Sequence, residues 1–209
     1  MAGMIPGLVL AAGRSSRMGR AKAMLPLGDD TFLTRIVRTY LDAGVDDVVV
    51  VVGHDPAPIV ASLASTGLPA RFVVNRDYDR GQLSSLVAGL GVVDRPGVAA
   101  VLVTLVDVPL FSAETTRAVV ARYRATGAPI VRPTSGARHG HPLLVDRSLF
   151  DELRAADPAS GAKSIVRAHA SADGDLPIAD EGAFVDVDTL EEYERVLSGR
   201  WSGVVGGDR

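Results

Sequence analysis

Apolar residues gather in short Val-rich runs, and between them polar and apolar positions alternate at helical spacing. Ile5–Leu10, Val48–Val52, Ala70–Val74 and Val98–Val106 are apolar runs, interrupted only by Arg71 and Thr104. Such runs predict strands buried on both faces of a mostly parallel sheet. In Phe32–Ala43, the positions Phe32, Leu33, Ile36, Val37, Tyr40 and Leu41 form one helical face, and Gly44 stands where a C-terminal cap belongs. Helices are also predicted over Pro58–Ala64, Leu83–Val92 and Ala113–Arg124, the last with Ser112 as N-cap and Glu114 in its first turn. After Ala125 the pattern loosens. Pro129–Pro133 and Pro142–Val145 read as strands around a loop, Ser135–His141. Helices are expected over Arg147–Ala156 and Gly161–Ala168, a strand over Phe184–Val187, and a last helix over Leu190–Leu197. Strand–helix alternation predicts right-handed crossovers and a three-layer α/β sandwich. No repeat or linker divides the chain. One domain is expected over 1–198, with a frayed, Gly-rich tail over 199–209.

Composition narrows the chemistry. Of 209 residues, 47% are hydrophobic and 22% charged, which is ordinary for a globular chain able to bury a core without a staple. Cysteine is absent, so disulfides, thiolate zinc sites, iron–sulfur clusters and a catalytic thiol are excluded. A net charge of −3 provides no basic field for a polyanion, so nucleic acid is not an expected partner. The first apolar run is too short to span a membrane, and Arg14 and Arg17 follow it instead of preceding it. Neither a signal peptide nor a membrane partner is expected, and a cytoplasmic location is.

The most informative segment is Leu10-Ala11-Ala12-Gly13-Arg14-Ser15-Ser16-Arg17-Met18-Gly19-Arg20-Ala21-Lys22. A buried strand ends in small residues and opens into a loop with four cations. Small residues let backbone N–H groups approach phosphate closely, Arg gives a forked grip, and Lys a mobile point charge. Ligands of open α/β sheets sit at the carboxyl ends of strands, where this loop lies. It reads as a polyphosphate site, although neither GxxxxGK[ST] nor GxGxxG is present.

Three other segments carry candidate chemistry. Asn75 precedes a turn at Gly81, after which Gln82, Ser84 and Ser85 stand at a helix start; they can bind a ligand, or the serines can simply cap the helix. Asp107 ends the run Val98–Val106. It reads as a Mg²⁺ ligand beside phosphates, or as a turn residue before Pro109. Asp188 precedes the last helix and reads on position alone as that helix's N-cap, with Asp186 a second carboxylate of the same segment.

The pattern LAAGxSxRMGxxK resembles the signature of the MobA-like nucleotidyltransferases, and within them the molybdenum cofactor cytidylyltransferase (MocA-like) branch. Gly81–Leu90 is similar to the family's GQxxSLxAGL stretch, and Asp186–Tyr193 to its late (N/D)xDTxxDY motif. The resemblance implies a Rossmann-like domain that moves CMP from CTP to the terminal phosphate of molybdopterin and releases pyrophosphate. It implies that Arg17 and Lys22 contact the triphosphate, with Arg14, at a variable position of the motif, and Leu10, Ala11, Ala12 and Gly13 beside the nucleotide. Asn75, Gly81, Gln82, Ser84 and Ser85 would line the base and ribose pocket. Asp107 and Asp188 would hold Mg²⁺. His141, in Gly140-His141-Pro142, and Lys163, where the family has Arg, would face the acceptor. A molybdenum hydroxylase would receive the product. Lys22, Arg17 and Asp107 are the candidate catalytic residues. The first loop reads LAAG where guanylyl-transferring relatives tend to LAGG, and the methyl of Ala12 favours a pyrimidine. Guanylyl transfer, transfer to a sugar or polyol phosphate, and an NAD(P)H-dependent oxidoreductase of the same family remain open.

Overall fold

The computed structural model describes residues 3–13 and 21–199. In chain order the elements are β1 (Gly7–Ala11), β2 (Pro26–Leu27), β3 (Asp30–Thr31), α1 (Phe32–Asp42), β4 (Val48–Val52), α2 (Pro56–Ala64) and β5 (Arg71–Val74). Then come α3 (Gln82–Val93), β6 (Ala100–Leu105), α4 (Ala113–Thr126), β7 (Ile130–Ser135), β8 (Arg138–His139) and β9 (Leu143–Asp146). Last are α5 (Phe150–Ala155), α6 (Gly161–His169), β10 (Asp175–Pro177) and α7 (Leu190–Leu197). The main sheet runs β10-β7-β9-β6-β1-β4-β5, with β8 paired to β7. β9 is antiparallel to both β6 and β7; the pairs among β6, β1, β4 and β5 are parallel. This is a Rossmann-like three-layer α/β sandwich with a mostly parallel sheet.

The Val-rich runs explain the layering. Successive side chains of a strand point to opposite faces. Val9, Ala11, Val50, Val52 and Leu102 face one layer, built with α1, α2, α4 and α7. Leu8, Leu10, Val49, Val51, Val101 and Val103 face the other, built with α3, α5 and α6. The predicted caps appear: Ser112 accepts the Thr115 N–H at 3.1 Å, and Gly44 adopts φ +83° just past α1.

β1 is central. From it the chain steps out through β4 to β5, then crosses back to β6 on the other side of β1. That reversal opens a crevice at the carboxyl ends of β1 and β6. Among the described residues, no helix is long and apolar enough to cross a membrane.

Two expectations need correction. Phe184–Val187 is not a strand; Glu181–Phe184 is a 3₁₀ turn and the chain then runs on irregularly. Tertiary contact decides this. Gly182 lies so close to the Leu110 carbonyl that a Cβ would stand 2.2 Å from its oxygen, and Asp180 accepts the Ser112 N–H at 2.8 Å and the Thr115 hydroxyl at 2.6 Å. The last sheet strand is β10 instead, and the expected loop Ser135–His141 contains β8. Of the tail expected over 199–209, only Gly199 is among the described residues.

Candidate active site

The crevice holds a cleft of about 400 Å³. Leu10, Ala11, Ala12 and Gly13 line it from the end of β1, and Leu105, Val106 and Asp107 from the end of β6. Lys22, Gly81, Gln82, Ser85 and Asp188 also reach it, as does Tyr78, which the sequence reading did not select. Its position before the Gly81 turn was the available signal. Gly53 permits this approach: a Cβ there would lie 2.6 Å from Tyr78 Cβ and 2.8 Å from the Ala12 carbonyl oxygen. Arg14 and Arg17 lie outside the described residues.

Lys22 lies between two carboxylates. Its Nζ donates to Asp107 Oδ2 at 3.1 Å and to Asp188 Oδ1 at 2.5 Å. Burial alone would lower its pKa, but the hydrogen bonds and charges of Asp188 and Asp107 outweigh that and raise it, so the ammonium stays charged. Asp188 arrives from far along the chain by three attachments. The Val187 N–H donates to the Asp107 carbonyl at 2.9 Å. The Tyr193 hydroxyl donates to the Pro26 carbonyl at 2.7 Å. The Tyr193 ring meets Phe32 edge-on, with centroids 5.8 Å apart.

Asp188 is not the cap of the last helix, and Asp107, although it sits in the turn closed by the Val108 N–H on the Leu105 carbonyl at 3.2 Å, does not bond that turn through its side chain. Thr189 caps α7, accepting the Glu192 N–H at 3.2 Å, while Glu192 accepts the N–H groups of Asp188 and Thr189, each at 2.8 Å. The capping box is thus complete without the Asp188 side chain. Asp107 spends one oxygen on Lys22; the other, Oδ1, is buried and has no hydrogen-bond partner among the described residues. A buried acceptor left unsatisfied wants a donor or a cation. Two carboxylates with such an oxygen fit a hard divalent ion, which takes oxygen ligands. Asp186 is exposed, and partial desolvation with the neighbouring Asp107 charge raises its pKa.

The turn before α3 divides the residues expected at the base and ribose. Gly81, at φ +99°, lines the cleft with Gln82 and Ser85. Asn75 and Ser84 do not; they border a separate groove with Arg80 and Arg154. Their polar groups are consumed in holding the turn. Asn75 Nδ2 donates to Ser84 Oγ at 2.9 Å and Ser85 Oγ at 3.0 Å, its Oδ1 accepts the Asp77 N–H, and Ser84 Oγ donates to the Gly81 carbonyl at 2.7 Å. Gly81 itself is the N-cap, so serine capping is not how α3 begins.

A second cavity, of about 340 Å³, shares Leu10, Gln82 and Leu105 with the first. His141 and Lys163 are both on its wall. The Gly140–His141 segment is seated on Ala183: a Cβ on Gly140 would lie 2.6 Å from that carbonyl oxygen, and the His141 N–H donates to it at 2.8 Å. His141 Nδ1 lies 3.3 Å from the Val103 carbonyl oxygen. Burial lowers its pKa, against the opposing pull of that carbonyl and of Asp186 and Asp107. Arg132, His139 and Arg167 also line this cavity, and the sequence reading gave none of them a role there.

Residues 7–173 match the model of the MobA-like NTP transferase domain. The chain belongs to that family. This MobA-like chain is 32% identical over 206 residues to the nicotine blue oxidoreductase of Paenarthrobacter nicotinovorans, covering 92% of this chain and 96% of the relative. It is 30% identical over 203 residues to the molybdenum cofactor guanylyltransferase of Rhizobium meliloti (strain 1021), covering 91% and 89%. Among solved structures it is similar to Rv0371c of Mycobacterium tuberculosis H37Rv, with a TM-score of 0.78, 30% identity, and coverage of 95% and 99%. Rv0371c has also been crystallised with manganese; against that structure the TM-score is 0.76 at 28% identity, covering 95% of this chain and 100% of the other.

Proposed function

We propose that this MobA-like domain transfers CMP from CTP to the terminal phosphate of a molybdopterin-type acceptor and releases pyrophosphate. The observation that carries nucleotidyl transfer is the meeting of Lys22, Asp107 and Asp188 in a cleft walled by the strand-end loop Leu10–Gly13. In this reading an oxygen of the acceptor phosphate attacks the α-phosphorus. The bond from that phosphorus to the oxygen bridging toward the β-phosphate breaks, and pyrophosphate leaves with the electron pair. The attacking phosphate has a second pKa near 6, so at neutral pH it is largely dianionic and needs no strong base. Lys22, charged and held from two sides, stabilises negative charge on the transferring and departing phosphates. Arg17 joins it on the strength of the motif. Asp107 and Asp188 would hold Mg²⁺, which when bound neutralises phosphate charge. His141 and Lys163, on the wall of the second cavity, would face the acceptor.

The choice of CTP is supported by Ala12, which lines the cleft and whose methyl group would crowd a purine more than a pyrimidine. One methyl decides only about 1–3 kcal/mol. The Rhizobium relative favours GTP as the alternative donor. The Paenarthrobacter relative favours a second reading, an NAD(P)H-dependent oxidoreductase. We place the enzyme in the cytoplasm, delivering its product to a molybdenum hydroxylase.

A thermal-shift panel of CTP, GTP, UTP, ATP and NADPH, each with and without Mg²⁺, separates these readings, because a specific ligand raises Tm by mass action. A Mg²⁺-dependent response to CTP above the other nucleotides, followed by pyrophosphate release with molybdopterin, is expected. A larger response to GTP overturns the base assignment. A metal-independent response to NADPH alone overturns nucleotidyl transfer.

A further inference from the structure

The second cavity carries more cation than this reading uses. Ile165 is the buried side chain of α6, packed into the core beneath it. Ala162, Lys163, Val166 and Arg167 of the same helix line the cavity. Lys163 and Arg167 are one turn apart, so their side chains stand one above the other on one face. Among the described residues neither makes an ion pair or a hydrogen bond through its side chain. Arg132, at the same cavity, is different, because its Nε is bound to Asp175 at 2.7 Å. Two like charges at this spacing slightly weaken a helix. The rest of the lining includes Leu86 and Val103, which give an apolar floor. An apolar floor under two uncompensated cations suits a ligand with an apolar body and an anionic group.

Resting on the transferase reading, we infer that Arg167 and Lys163 form a two-point clamp for an anionic group, phosphate or carboxylate, on the acceptor. Lys163 gives a point charge and cannot fork. Arg167, four residues later, supplies the planar guanidinium able to take two oxygens at once. The clamp would hold the acceptor where the second cavity adjoins the donor cleft, the two sharing Leu10, Gln82 and Leu105. It selects acceptors by charge and by apolar bulk together, and disfavours uncharged analogues of the same shape.

Calorimetric binding of 1-naphthyl phosphate, 1-naphthoate and 1-naphthol to the full chain tests this. The first two differ in the anion, and the third lacks it. Wild type should bind at least one anionic probe roughly tenfold more tightly than 1-naphthol, the scale of one charge-assisted contact. Arg167→Gln and Lys163→Gln should each remove most of that preference, and Arg167→Lys should restore part of it. Both positions are exposed, so the variants should fold, which a thermal melt confirms. No anion preference in wild type, or an unchanged preference in Arg167→Gln, overturns the clamp. Nucleotide binding and pyrophosphate release, read on the same preparations, test the transferase reading separately.

Discussion

Lys22 and Asp188 are 166 positions apart in the chain and 2.5 Å apart in the fold. The contact joins the segment after the first loop to the residue before the last helix's cap, and both side chains line the cleft. Asp107 completes the group from the end of β6. Three segments with no sequence proximity therefore deliver one ammonium and two carboxylates to the place where the sheet's connectivity reverses.

Removing Lys22 should show in turnover more than in folding. Lys22→Ala is expected to lower kcat for pyrophosphate release by on the order of 10²–10³-fold, by analogy with the loss of a preorganised oxyanion donor. Asp107→Ala should fall in the same range or lower. Both variants should retain a cooperative melt. Near-normal turnover in either removes that residue from the mechanism.

Asp188 depends on a cap that is not itself chemical. Glu192 and Thr189 close the first turn of α7 and fix the backbone on which Asp188 sits. Glu192→Ala should cost about 1 kcal/mol of stability, seen as a fall in Tm of about 2–4 °C. It should also weaken Mg²⁺-dependent nucleotide binding, because Asp188 loses its fixed position. If nucleotide affinity is unchanged while Tm falls, the cap serves the fold alone.

Much of the fold was legible because the physics was local. Five consecutive valines, Val48–Val52, can only be satisfied by burial on both faces, and they form an interior strand. β10 was not legible: Leu176 stands between Asp175 and Pro177, and pairing with β7 makes the strand rather than any intrinsic pattern. Phe184–Val187 failed in the opposite direction, its apolar pattern overruled by the tight seat of Gly182 on Leu110. The site shows the same division. Asp107 could be placed because a residue at the end of a buried parallel strand must face the crevice. Asn75 and Ser84 could not, because which side of a turn a short polar side chain bonds depends on the turn's three-dimensional path. The cavity beside Arg167 was not legible, because a lone cation in an amphipathic stretch looks like solvated surface until its neighbours in the fold are seen.

Tyr40 offers a test of the core. Its ring is fully buried against Phe111, centroids 5.6 Å apart, and a Cβ on Gly7 would stand 2.8 Å from it. Its hydroxyl is buried with no hydrogen-bond partner among the described residues, and burial raises its pKa well above the ordinary value. A buried donor left unpaired costs about 1–3 kcal/mol. Tyr40→Phe should therefore match or exceed wild-type stability, whereas Tyr40→Ala should lose about 3–5 kcal/mol by leaving a cavity. Urea denaturation measures both. A loss of more than about 1 kcal/mol in Tyr40→Phe would show that the hydroxyl is satisfied.

The end of α3 is clasped to α5 through Asp94, and this clasp has a defined pH dependence. Asp94 accepts from Arg154 at 2.6 Å and from Arg147 at 2.7 Å. The Arg154 hydrogen bond first, then that of Arg147, holds its carboxyl below the ordinary 3.8. A carboxylate whose pKa is depressed in the folded state binds fewer protons there than in the unfolded chain. Its stabilisation is fully present above about 3.8, the unfolded value, and is lost as pH falls through the lower folded one. The paired groups keep some solvent exposure, so the clasp contributes on the order of 1 kcal/mol. Asp94→Asn should thus be less stable than wild type by a constant amount near neutrality. The gap should close as the pH drops below about 4, where the wild-type carboxyl takes up its proton. Denaturation midpoints taken from pH 7 to pH 3 read this directly. If the two curves stay parallel to the lowest pH, the arginines are not holding Asp94 in its charged form.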